Sequence, residues 1–192
     1  IRTRLVGSEM CIRDRLEAKL TNGNSQILIA VKSGKCIRFE ENKTRPMGRN
    51  ASGVRGVRLK DQKDEVVGMI SVNDMDSDIL VVSENGYGKR SKLEDYRITN
   101  RGGKGVKTIS ITEKTGNLVS LKNVSDGDDL MIINKSGIAI RMEVNTLRVM
   151  GRATQGVRLI NIKDNDSIAA VAKVVLDDQE VTDIEEIDVV ED

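Results

Sequence analysis

Two arginines four residues apart, in a stretch with no apolar period, recur three times along the 192 residues: Arg45 with Arg49, Arg97 with Arg101, Arg148 with Arg152. Guanidinium groups at that spacing, set between strands, can grip successive phosphates bidentately, and adjacent glycine lets backbone N–H groups approach an anion. Each stretch closes on Gly-apolar-basic: Gly53-Val54-Arg55, Gly105-Val106-Lys107, Gly156-Val157-Arg158. The middle copy is the richest, reading Arg101-Gly102-Gly103-Lys104-Gly105. A structural reading competes: glycines for tight turns, arginines paired to Asp or Glu of a neighbouring unit. Six arginines in register favour the phosphate chemistry.

Other chemistries find little to work with. The chain has no His, and Cys11 and Cys36 are lone thiols with neither metal-type spacing nor a nearby base. Asp74, Asp76 and Asp78 alternate, but no glycine or distal Glu completes a calcium loop. Gly102 to Lys107-Thr108 has the wrong spacing and a β context for a nucleotide P-loop. Tyr87 and Tyr96 are expected to pack rather than react. No cofactor or metal is expected to bind here.

The elements that must position the arginines repeat with them. Apolar runs Ile27–Val31, Ile79–Val82 and Leu130–Ile133 each lead to a turn glycine, Gly34, Gly86 or Gly137, and four residues later to an arginine, Arg38, Arg90 or Arg141. Ser33-Gly34, Asn85-Gly86 and Ser136-Gly137 mark hairpins. After the arginine loop, Val54–Lys60 alternates, with Val57 and Leu59 on one face; Ile109 with Ile111 and Ile160 with Ile162 take those places. A further strand follows in each unit. The expectation is an all-β chain of propeller-like, four-stranded blades, three of them present, at 26–77, 78–128 and 129–176. Residues 1–15 match nothing in the repeat and read as a non-native or unrelated leader. Residues 16–25 read as the end of a preceding, truncated blade.

The formal net charge of +1 conceals an asymmetry. Residues 177–192 hold nine carboxylates and no Lys or Arg; subtracting nine from the chain's 30 leaves 21 acidic against 31 basic residues, a body of +10. A basic body with an acidic tail suits a polyanion binder carrying its own competitor, the plainer reading being a solvated, disordered end. Aromatics are Phe39, Tyr87 and Tyr96 alone, too few for base-stacking platforms. No apolar run reaches membrane-spanning length, and two lone thiols fit a reduced, cytoplasmic setting.

With three units, registered arginines and Arg101-Gly102-Gly103-Lys104-Gly105 together, the chain from about Leu16 to Val175 closely resembles the C-terminal domain family of DNA gyrase A. That family's box reads Q-[RK]-R-G-G-K-G; here Thr99 and Asn100 stand where Gln and a basic residue are usual. The resemblance implies a β-pinwheel whose neighbouring blades exchange strands, this segment being the last three blades of six. It implies wrapping of duplex DNA without sequence readout, in support of ATP-dependent negative supercoiling. The partners would be the rest of gyrase A, together with gyrase B, with ATP, Mg and the cleaving tyrosine lying in other parts of the holoenzyme. The resemblance assigns DNA contact to Arg101–Gly105 first, and to Lys107, Arg45, Arg49, Arg55, Arg97, Arg148, Arg152 and Arg158 around it. The corresponding domain of topoisomerase IV, which lacks the box, is the alternative within the class. A kelch or chromosome-condensation-regulator propeller is the alternative outside it, though its aromatic and His signatures are missing here.

Overall fold

Each unit opens on a hairpin where an apolar run meets a glycine turn. A computed structural model of the chain describes residues 16–48, 50–162 and 166–174. The expected leader, 1–15, and the acidic tail, 177–192, lie outside the described residues. The hairpins are β1 (Gln26–Val31) with β2 (Lys35–Glu40), β4 (Asp78–Ser83) with β5 (Tyr87–Lys92), and β8 (Asp129–Asn134) with β9 (Ala139–Glu143). On the other side of each hairpin's first strand runs β3 (Val66–Val72), β7 (Leu118–Val124) or β11 (Ile168–Val174), all antiparallel. Residues 16–25 carry no strand; the Glu17 carboxylate accepts from the Met69 backbone N–H at 3.1 Å.

The fourth strand is where the structure departs from the periodicity. Val54–Lys60 forms no strand, and its counterparts are only β6 (Val106–Lys107) and β10 (Val157–Arg158). Neither belongs to the sheet of its own unit. β6 pairs with β2, giving the order β3-β1-β2-β6, and β10 pairs with β5, giving β10-β5-β4-β7. The third sheet has three strands, β11-β8-β9. The alternation after the arginine loop is therefore a burial pattern between units and not a ladder: Ile109 and Ile160 are buried, while Leu59 is exposed.

The sheets stack face to face. Leu28, Ala30, Cys36, Ile70 and Val72 of the first meet Ile79, Val81 and Leu121 of the second, with Tyr96 and Ile109 closing the layer. Leu80, Val82 and Val124 on the second sheet's other face meet Leu130, Ile132 and Val171 of the third. Burying each such side chain contributes about 1.5–3 kcal/mol, so these aliphatic layers supply the cohesion that aromatics give elsewhere. Val144, Leu147 and Ile160 close the second layer.

The strand arginines also join units. Arg38 takes the Gln26 side chain at 2.6 Å and donates to the carbonyls of Leu93 and Tyr96, in and after the single 3-10 turn of the next unit, at 2.7 and 2.9 Å. Arg90 repeats this with Asp78, Asp126 and the Val144 carbonyl. Arg141, with no further unit beside it among the described residues, keeps only Asp129 and is exposed.

Gly105 turns the chain into the exchanged strand at φ +71, and a Cβ there would sit 2.6 Å from the Cys36 carbonyl oxygen. Gly53, at φ +79, has no atom within 4 Å of its would-be Cβ. Gly53→Ala should therefore lose about 1 kcal/mol, the cost of a left-handed backbone alone. Gly105→Ala should lose at least about twice that, because β6 must also lift from β2. Urea unfolding of the two variants checks this, and equal losses would contradict the tight seating of β6.

Candidate nucleic-acid interface

Strand exchange makes the loops composite. The second unit's loop folds over the first unit's segment Arg55–Arg58: the Gly102 N–H donates to the Gly56 carbonyl at 2.7 Å, and the Arg58 N–H to the Gly103 carbonyl at 2.8 Å. Arg101 adds Nη1 to the Arg55 carbonyl at 2.7 Å and Nε to the Lys43 carbonyl at 3.2 Å. One unit on, Ser110 N–H donates to the Thr154 carbonyl at 3.1 Å, and Arg152 Nη1 to the Lys107 carbonyl at 3.1 Å. Arg101 and Arg152 thus pin equivalent carbonyls, those of Arg55 and Lys107. Lys107 and Arg158, on the exchanged strands, are each laid against the preceding unit.

Burial sorts the expected site residues. Arg45, Arg55, Arg97, Lys104, Lys107, Arg148 and Arg158 are exposed; Arg101 and Arg152 are half-buried pins, and Gly102, Gly103 and Gly105 shape the joint. Arg49 lies outside the described residues. Ion pairs among the described residues fall on Lys19, Lys32, Arg90, Lys92, Arg141 and Lys173. None falls on the described members of the expected set, so the pairing of loop arginines to a neighbour's Asp or Glu is not what holds them.

Three features escaped the periodicity. β2–β6 register sets Lys35 directly opposite Lys107, a like-charge cross-strand pair that costs stability and gathers positive potential at one spot. At the next joint Tyr87 stands opposite Arg158, whose Nη2 donates to the phenol oxygen at 3.0 Å and holds the Tyr87 pKa below its ordinary value. Lys114 and Arg158 lie 5.7 and 5.5 Å from that ring's centre. These pairings follow from the exchanged register, which no single-unit pattern contains. The third feature, Lys89, is legible as an anomaly: it occupies the place of Ile37 and Ile140, and it is buried.

Comparison with known proteins decides the family. The family model described as "DNA gyrase C-terminal domain, beta-propeller" matches residues 26–73, 77–125 and 128–174, one match for each unit. The chain belongs to this family. DNA gyrase A of Staphylococcus aureus strain MRSA252 is 46% identical over 179 residues, covering 92% of this chain and 20% of the relative. The same protein from strain NCTC 8325 is 46% identical over 173 residues, 89% of this chain and 19% of the relative. The chain thus spans about a fifth of the length of these relatives. Among solved structures, a DNA gyrase A C-terminal domain superposes with TM-score 0.73 at 28% identity, over 81% of this chain and 52% of that one. The C-terminal domain of a DNA topoisomerase IV superposes with TM-score 0.78 at 22% identity, over 83% and 50%, a likeness of fold. The all-β architecture is that of the gyrase pinwheel domain, with strands exchanged between neighbours.

The geometry separates two residues that the sequence sets side by side. Lys104→Ala, at an exposed side chain, should change stability by less than about 0.5 kcal/mol. Arg101→Ala should cost about 1–2 kcal/mol, since two carbonyl bonds of a charged donor are lost. Thermal unfolding of each variant measures the difference, and identical transitions would contradict the pinning role of Arg101.

Proposed function

We propose that this chain binds duplex DNA through its phosphates, along the line of joints between units, and bends it as part of a DNA gyrase A protein. The observation that carries the reading is the contrast in charge partners: among the described residues every ion pair lies outside the expected set, while the set's cations recur with the period of the fold. A protein that needed those charges only for cohesion would pair them, as it pairs Arg90 with Asp78 and Asp126. The opposed Lys35 and Lys107 support the same reading, because such a pair costs the apo-protein stability and a bound phosphate relieves it.

The proposed contacts are Arg45, Arg49, Arg55, Arg97, Lys104, Lys107, Arg148 and Arg158, with Arg101, Arg152 and the Gly102–Gly105 backbone shaping the joints that present them. Cations repeated on a rigid scaffold, with no element among the described residues shaped to enter a groove, favour backbone contact and sensitivity to DNA flexibility over base readout. In the holoenzyme the bent segment would be delivered to the cleavage gate with a fixed handedness. Tyrosine, metal and ATP chemistry would be supplied by the rest of gyrase A and by gyrase B, in the cytoplasm. This fragment by itself would catalyse nothing.

If each of three units engages about two or three phosphates, log affinity should fall against log salt with a slope of about −5 to −8. Duplexes of different sequence should compete almost equally. A slope flatter than about −2, or strong preference for one sequence, would contradict phosphate-directed binding. Lys35→Gln gives a second check: duplex affinity should fall while the free protein becomes more stable by about 0.2–1 kcal/mol. A loss of both would assign Lys35 to the fold instead.

A further inference from the structure

The two joints share their strand exchange and their arginine pin, and they differ in what lies beneath the loop. In the first, Ile37 lies beneath the loop, within 3.4 Å of where a Cβ on Gly103 would be, and the loop is laced to the preceding segment by Gly102 N–H to Gly56 O and Arg58 N–H to Gly103 O. In the second, Ser110 N–H to Thr154 O repeats the latter bond. The counterpart of the former, from Ala153 N–H to the Thr108 carbonyl, is not made among the described residues. Where Ile37 and Gly103 face each other in the first joint, Lys89 and Thr154 face each other in the second. Lys89 is 1% exposed, and its ammonium donates to the Gly151 carbonyl at 2.7 Å, and to the Thr154 carbonyl and hydroxyl at 3.2 Å each.

We propose that Lys89 is the positioning residue of the second joint: its buried ammonium replaces the missing backbone bond, fastens the Gly151–Thr154 turn, and so fixes the pin Arg152 and, with it, Arg148 and Lys107 where a DNA phosphate is held. This rests on the DNA reading above and adds to it a regulator of the same site. The buried cation makes three bonds to one turn and, among the described residues, has no carboxylate bonded to it, so it also adds positive potential beneath the loop. The charged groups that bear on it are Asp95, which favours its charge, and Arg152 and Lys107, which oppose it. Burial, ahead of these, pushes its pKa down to about 8. A phosphate at Lys107, beside Arg152, offsets the repulsion of both and favours the protonated amine, so DNA and proton bind with mutual assistance.

The signs differ for folding and binding. The unfolded chain holds the Lys89 proton up to an ordinary lysine pKa of about 10.4, so between about pH 8 and 10 it binds more protons than the folded chain, and stability gains from rising pH. Duplex affinity loses over the same window. The chain has no His, and burial pushes the Cys36 thiol up to about 12; the Tyr87 phenol, lowered by Arg158 at the same joint, is told apart from Lys89 by the Lys89→Ile variant, which keeps it.

The test uses the full chain and fluorescence anisotropy with a labelled duplex, from pH 7 to 9.5 at several salt concentrations. Wild-type affinity should fall by about threefold or more across that range, as release of a coupled proton requires. Lys89→Ile, which installs the residue standing at this place in the other two units, should bind more weakly at pH 7 and lose most of the pH dependence. Its salt slope should be shallower by about 1, one phosphate contact. Lys89→Ile with Thr154→Gly, the first joint's solution, should recover the slope without the pH dependence. Should Lys89→Ile fail to fold, Lys89→Met and the wild-type pH profile decide. Wild-type affinity flat from pH 7 to 9.5, or a folded Lys89→Ile that matches wild type in affinity and slope, overturns the proposal. A wild-type slope flatter than about −2 overturns the DNA reading, and this inference with it.

Discussion

The molecule depends on the exchange of a two-residue strand at each joint, backed by one parallel bridge, Arg38 to Ile98 and Arg90 to Val149. Cys36 with Val106 and Lys35 with Lys107 join the first two units, and Gly88 with Val157 and Tyr87 with Arg158 join the next. So short a ladder is weak alone, and the fold reinforces it from both sides. Inside, the aliphatic layers and the strand arginines Arg38 and Arg90 fix the spacing of the sheets. Outside, Arg101 and Arg152 clamp each loop to the carbonyl of the basic residue in the unit before. Each exchanged strand thereby carries its cation, Lys107 or Arg158, onto the neighbouring unit's edge, which is where the proposed phosphate contacts lie.

Three arginines per unit look equivalent in composition and do three different jobs. The strand arginines Arg38 and Arg90 are buried and give their guanidinium groups to a neighbour's carbonyls; the second loop arginines Arg101 and Arg152 are half-buried and pin; the first, Arg45, Arg97 and Arg148, are exposed and make no ion pair among the described residues. Charge alone does not distinguish them, but burial does. A desolvated guanidinium must spend its donors on the protein, whereas an exposed one can give them to a phosphate. The second joint exchanges an apolar contact and one backbone bond for the Lys89 ammonium, making one of two similar sites sensitive to protonation.

The hairpins, the turn glycines and the aliphatic cores were legible because each rests on local pattern: a strand's period of two, and a glycine at positive φ as at Gly34, Gly86 and Gly137. The resemblance implied that neighbouring units exchange strands, as they do, but the residue pattern itself did not carry which residues become partners. A two-residue strand such as Val106–Lys107 has no period to read, and the alternation around Ile109 and Ile111 fits burial against the next unit as well as a ladder within its own. The opposition of Lys35 to Lys107 exists only once that partner is known. Lys89 was visible as a charge among isoleucines, yet its meaning depends on Thr154, which lies 65 residues away.

The central claim is that joints between units hold cations in a series that bends duplex DNA, rather than merely attracting it. Energy transfer between dyes at the two ends of a short duplex measures this directly, with anisotropy reporting occupancy on the same sample. The account predicts that transfer efficiency rises with occupancy, and that Gly105→Ala, which disturbs a joint without removing a charge, weakens that rise more than it weakens binding. An end-to-end distance unchanged at full occupancy would contradict it.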